Sequence, residues 1–226
     1  MGKGKIMEKR KLKISTLILF LLSLYNALKA DLASQKKLLL YFDEIEVNGN
    51  IDVFLNKGKR FREAQIYADS EIINSVIVKV SKRTLFIDAN NTYNIARRLP
   101  FIRLQAERKF PVEIIVSIES LKGIRLLGKS NLTGQDFVSD NLSIFMASSG
   151  KLHLQNILTP KVDIIHEGTG NIVLKGNDIE NLNAKITQNG SLFADELQVE
   201  KATLVHQGNG TVHLNPLKWM DARILG

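Results

Sequence analysis

Cysteine is missing altogether from the 226 residues. That excludes disulfide scaffolds, thiolate zinc sites, iron–sulfur clusters, cysteine nucleophiles and an acylated N-terminal cysteine. Proline is scarce at 4 residues, tryptophan occurs once, and aromatic residues make up only 7 %. No apolar run reaches the roughly 20 residues of a spanning helix. The phosphate-cradling G-x-x-x-x-G-K-[ST], the metalloprotease H-E-x-x-H and a Ser-His-Asp order are also missing. What the chain does have is 44 % apolar residues, 15 glycines and a net charge of +8, which is ample for one sizeable core.

The positive charge is unevenly placed. Residues 1–30 hold Lys3, Lys5, Lys9, Arg10, Lys11, Lys13 and Lys29 against Glu8 alone, so most of the net charge lies at the N-terminus. A nucleic-acid binder keeps its basic footprint on the folded part, so nucleic acid is not an expected partner. The basic stretch runs into the apolar Ile14–Leu24 and then Asn26–Ala30, the order of a secretory signal peptide. The apolar stretch rises only about 16 Å as a helix, about half a bilayer core. Ala30 suits the position before cleavage, whereas Leu28 is bulkier than the small residue preferred two places earlier, so an uncleaved anchor is the alternative. Residues 1–30 therefore read as a signal peptide and the protein as exported, to the periplasm, the cell envelope or the outside. Contact with the membrane is expected only through that segment, if it is retained.

Past the leader the chain repeats. Gly150, Gly170, Gly190 and Gly210 are spaced by 20 residues, and Ser130 extends the series backward. Two residues beyond each anchor stand Leu132, Leu152, Ile172, Leu192 and Val212, and six before the glycines Ile144, Ile164, Ala184 and Leu204. Within each repeat the apolar residues alternate, as in Leu142-x-Ile144-x-Met146, which marks strands with one buried face. The four glycines, two of them preceded by asparagine, read as structural corners whose backbone is expected in the left-handed region. Stacked units of this kind form the coils of a single-stranded parallel β-helix, an all-β solenoid with inward apolar ladders. A leucine-rich repeat has a similar period but needs the L-x-x-L-x-L-x-x-N spacing, which these units miss. One domain over 35–226 is expected. A basic excursion at 90–110, irregular and containing a helical turn, should leave the coil wall, and residues 218–226, with Trp219, should cap the last coil.

The opening Phe42-x-x-Ile45-x-Val47-x-Gly49-Asn50-Ile51-Asp52-Val53-x-Leu55 resembles the start of the putative auto-transporter adhesin, head GIN domain family. So do Leu85-x-Ile87, the stretch Pro111–Ile118 with Leu121-x-x-Ile124, and the Gly-x-Gly-x-Ile/Val-x-Leu units at Gly168–Leu174 and Gly208–Leu214. The resemblance covers nearly the whole chain after the leader. It implies a right-handed β-helix exposed outside the cytoplasm, and it carries over no catalytic residue.

Carbohydrate-active β-helix enzymes need two or three carboxylates within about 5–10 Å, usually one column on neighbouring coils. Only Glu180 and Glu200 stack in this way, beside Lys201, and a solvated corner explains them. His166 and His206 share a column but lie two coils apart, about 9.6 Å along the axis, too far to share a zinc ion. No catalytic residue, cofactor or metal site is expected. Two surfaces could bind a partner. One is the outward apolar set Phe145, Ile165 and Val205, with Phe193 in a second outward column. The other is the arginine cluster of Arg97, Arg98 and Arg103. Coverage of the apolar set by the chain itself, or by a second subunit in a homo-oligomer, competes with a free face. The expected function is a non-enzymatic adhesin-like binding or scaffold domain with a protein or glycan ligand of the envelope or exterior. A carbohydrate-active enzyme and a structural component without a ligand are the alternatives.

Overall fold

The computed structural model describes residues 32–58, 63–99, 102–118, 120–136 and 138–225, and between 92 and 108 the backbone only. The leader lies outside the described residues. The chain begins with β1 (Leu32–Leu38), β2 (Glu44–Gly49), β3 (Asp52–Lys57) and β4 (Glu63–Asp69). After a 3-10 turn at Ile73–Ser75 come β5 (Ile77–Ser81), β6 (Thr84–Ala89), β7 (Thr92–Leu99), β8 (Ile102–Lys109) and β9 (Val112–Ile118). The regular part is β10 (Gly123–Gly128), β11 (Asn131–Gln135), β12 (Leu142–Ser148), β13 (Lys151–Leu158), β14 (Lys161–His166), β15 (Asn171–Thr187), β16 (Ser191–Gln207) and β17 (Val212–Leu225).

The 20-residue period is one rung of a β-solenoid. Ile144 lies beside Ile164, Ile164 beside Ala184 and Ala184 beside Leu204 in parallel register. Beyond the glycine corner, Leu152, Ile172 and Leu192 form a second ladder. All seven side chains are buried, because alternation puts every second residue of each strand inside. Each large aliphatic in such a ladder contributes about 1.5–3 kcal/mol by leaving water. The all-β repeat architecture expected from the spacing is the one observed.

The corner glycines have a different cause from the one expected. Gly150, Gly170, Gly190 and Gly210 do not hold positive φ; among glycines only Gly49, Gly128 and Gly208 do. They are glycines because consecutive rungs touch there. A Cβ on Gly170 would stand 2.0 Å from the carbonyl oxygen of Gly150, and one on Gly210 would stand 1.8 Å from that of Gly190. On Gly190 it would stand 2.0 Å from Nε2 of His166. The left-handed backbone falls instead at Asp136, Asn156, Asp178 and Gln188, and Asn and Asp tolerate that region better than most residues.

The first rungs are threaded out of sequence order. Ile45 pairs with Ile124 on one side and Leu85 on the other, and Val53 with Leu132 and Ile114. The coil of β2 and β3 is therefore sandwiched between β6 and β9, which come later in the chain, and β10 and β11. At this end β5 lies antiparallel on β6 and β4 antiparallel on β9, with β1 beside β4. Phe42, Ile72, Ile73 and Val76 are buried with the core. The 90–110 excursion is neither irregular nor helical: β7 and β8 form an antiparallel hairpin, Thr92 opposite Lys109 and Leu99 opposite Ile102, a two-stranded sheet of its own.

The other end is not capped as expected. Residues 218–225 do not fold over the last coil but continue as its final rung in β17, with Trp219 beside Lys201 and Ala222 beside Leu204. Among the described residues, β17 pairs with β16 on one edge only.

Candidate binding faces

Alternation along the strands makes two outward columns as regular as the inward ones. The first runs Glu46, Arg125, Phe145, Ile165, Lys185, Val205, Arg223 across seven rungs. It brings together the three residues singled out in this column and intersperses them with charge. Ile165 is 44 % exposed, whereas Phe145 and Val205 are half-buried. The cover over Phe145 includes Arg125, whose guanidinium lies 4.6 Å from the ring centroid while its Nε donates to Glu46 Oε2 at 2.9 Å. The second column runs Phe54, Thr133, His153, Val173, Phe193, His213. Phe193 is half-buried and meets the edge of the His213 ring at 5.3 Å between centroids. Phe193 therefore belongs to the adjoining side of the coil and not to the surface of Phe145, Ile165 and Val205. Arg97, Arg98 and Arg103 are placed by their backbone on the hairpin, with Arg98 opposite Arg103; their side chains lie outside the described residues.

The polar outward positions are linked from rung to rung. Asn131 Nδ2 donates to Asp52 Oδ1 at 2.7 Å, Asn156 Nδ2 to Asp136 Oδ1 at 2.8 Å, and Asn183 Nδ2 to Asp163 Oδ1 at 2.8 Å. Burial would push the Asp163 carboxyl up, but Asn183 and the ammonium of Lys161, 2.7 Å away, outweigh it and hold its pKa below the usual range. A depressed carboxylate stabilises the fold above its unfolded-state pKa and loses that contribution as the pH falls through the folded value. Asp163→Asn should accordingly flatten the fall in urea midpoint between about pH 5 and pH 3 relative to the parent. An unchanged pH slope would show that this link contributes nothing. Burial and then the cations Lys151 and Lys175 lower the pKa of His153. Its neutral ring can accept from Gln155 Nε2 at 2.9 Å.

The remaining candidates for chemistry resolve structurally. His166 is fully buried. Its neutral tautomer with the proton on Nε2 donates to the Gly170 carbonyl at 2.9 Å and accepts the Gly168 N–H on Nδ1 at 3.3 Å. His206, two rungs on, is also buried, and its Nε2 has no hydrogen-bond partner. Glu200 accepts from Lys218 Nζ at 2.6 Å. No group of three His, Asp or Glu side chains disposed to hold a metal occurs among the described residues. Sequence reasoning missed the Glu46–Arg125–Phe145 stack. Its partners are drawn from strands 79 residues apart, and no periodic signal connects them.

A β-solenoid with linked, uninterrupted outward columns is a surface for contact. The profile of the family described as "Putative auto-transporter adhesin, head GIN domain" matches residues 41–226, and the chain belongs to that family. Among solved structures, a putative adhesin from Bacteroides fragilis superposes with a TM-score of 0.72 at 19 % identity, covering 86 % of this chain and 84 % of that one. A putative lipid binding protein from Parabacteroides distasonis gives 0.58 at 15 % identity, with 87 % and 96 % covered. A putative adhesin from Parabacteroides merdae gives 0.52 at 18 %, with 88 % and 94 % covered. At such identities these likenesses establish the fold. No curated protein matches the chain.

Proposed function

We propose that the protein is exported and, without catalysing a reaction, binds a protein or glycan of the cell envelope or exterior through its outward columns. The observation that carries this reading is the column from Arg125 to Arg223, where Ile165 stays 44 % exposed in the middle of a strand. Single exposed aliphatics are ordinary, but here Phe145, Ile165 and Val205 recur on one rigid row with cations between them. Such a row offers apolar contact flanked by charge, the composition of an interface core and its rim. Membership of the adhesin family supports the same reading. The leader places the protein outside the cytoplasm, in the periplasm, the envelope or the exterior.

The test is cosedimentation of the labelled protein with washed cell envelopes from the producing organism. The wild type should pellet with the envelopes. The double variant Phe145→Glu, Ile165→Glu should remain in the supernatant while melting within a few degrees of the parent. Equal pelleting of the two would remove this column as the binding surface, and failure of both to pellet would remove the envelope ligand.

A further inference from the structure

We infer that the open edge of the last rung is a self-association surface, on which a second copy of this chain docks antiparallel about Ala222. The same three inward columns are buried one rung earlier and exposed in β17. Ala202, Leu204 and His206 are 1 %, 4 % and 8 % exposed, and their parallel neighbours are Met220, Ala222 and Ile224. Met220 is 42 % and Ile224 71 % exposed, and the flanking Trp219 and Leu225 are 52 % and 40 % exposed. One edge of β17 carries no ladder partner among the described residues. A row of free backbone donors and acceptors beside apolar side chains is a template for pairing with another strand.

The order of residues selects the occupant. With Ala222 opposite Ala222 of a second copy, antiparallel pairing sets Met220 against Ile224 on the core side, and each contact occurs twice by the two-fold. On the outer side the same register sets Asp221 against Arg223 and Trp219 against Leu225. Apolar groups thus meet apolar groups, and each charge meets its opposite. No other part of this chain repeats that palindrome at a free edge in the regular coils. The far end of the stack carries antiparallel β4 and β5, which offer no continuation of the parallel ladder. The fitting assembly is therefore a closed isologous dimer and not a head-to-tail filament.

Two variants test the register, read by sedimentation velocity of the full chain across a concentration series. Asp221 and Arg223 are exposed, so exchanging them leaves the fold intact. Asp221→Arg alone sets like charges opposite each other twice and should raise the dimer dissociation constant about ten-fold or more. Adding Arg223→Asp restores both pairs and should bring the constant back to the wild-type range. The absence of cysteine allows a second reading. Antiparallel partners stand about 4.5–5.5 Å apart between Cα atoms, within disulfide reach. Ala222→Cys should therefore oxidise to a covalent dimer, while Lys185→Cys, exposed on the outer wall, should not. A monomer at all concentrations, open fibres, a charge swap without rescue, or equal cross-linking at the two positions would each overturn the proposal.

Discussion

Leu174→Asp is expected to leave the solenoid unfolded at room temperature. Leu174 is fully buried and sits beside Leu154 in the inward ladder. Truncating such a leucine costs about 2–5 kcal/mol through lost burial and the cavity left behind. Aspartate adds a carboxyl group with no hydrogen-bond partner in an apolar column, which costs several kcal/mol more or forces protonation. Together these match the roughly 5–15 kcal/mol that hold a domain folded. Its neighbour behaves differently. Lys175 points outward and pairs with Glu196 at 2.6 Å, so Lys175→Asp should cost only about 0.5–1 kcal/mol. Circular dichroism and a urea titration of both variants provide the check. Equal tolerance at the two positions would mean that the inward and outward assignments are wrong.

The second large effect is expected at the corners. In Gly170→Ala the new methyl group would lie 2.0 Å from the backbone oxygen of Gly150, so two rungs must separate locally or the backbone must bend. Neither atom belongs to a side chain that could swing away. We expect a loss of about 3 kcal/mol or more, at the upper end of what overpacking costs. Gly190→Val should be similarly disruptive, because its Cβ would meet the buried, hydrogen-bonded ring of His166. The contrasting case is Gly123→Ala, whose nearest neighbour is Cγ of Glu44 at 3.1 Å, on a flexible side chain. Ser191→Val, half-buried at the start of β16, should be near neutral or slightly favourable, as β-branched residues are in strands. If Gly170→Ala melts with the wild type, the rungs are not in the contact described.

These two experiments fall on features that the sequence exposes to different degrees. The inward ladders were legible because one apolar residue recurs at the same offset in rung after rung, and Ile144, Ile164, Ala184 and Leu204 are neighbours in space as they are in the alignment. The glycine series was legible in position but not in cause. Positive φ and a close backbone approach both demand the absence of Cβ, and a sequence cannot tell them apart. The residues that do take left-handed angles, Asp136 and Asn156, carried their own signal at the same 20-residue spacing. The threading of β6 and β9 beneath β2 and β3 was not legible, since its pairings join Ile45 to Leu85 and to Ile124, outside any common period. The last rung was misread for a related reason. Leu204 and Ala222 are partners at 18 residues and not 20, so the columns of 218–225 fall out of step and resemble a terminal cap. Of the binding surface, the apolar members were visible in sequence, whereas the arginine stacked on Phe145 emerges only from the fold.

The central claim is a solenoid that works outside the cytoplasm, and the most direct measurement is fractionation of producing cells followed by N-terminal sequencing of the recovered protein. The account predicts recovery in the periplasmic, envelope or extracellular fraction, with a new N-terminus at Asp31 if the leader is removed after Ala30, or membrane-bound with Met1 retained if it is kept as an anchor. Soluble, full-length protein in the cytoplasm would contradict it.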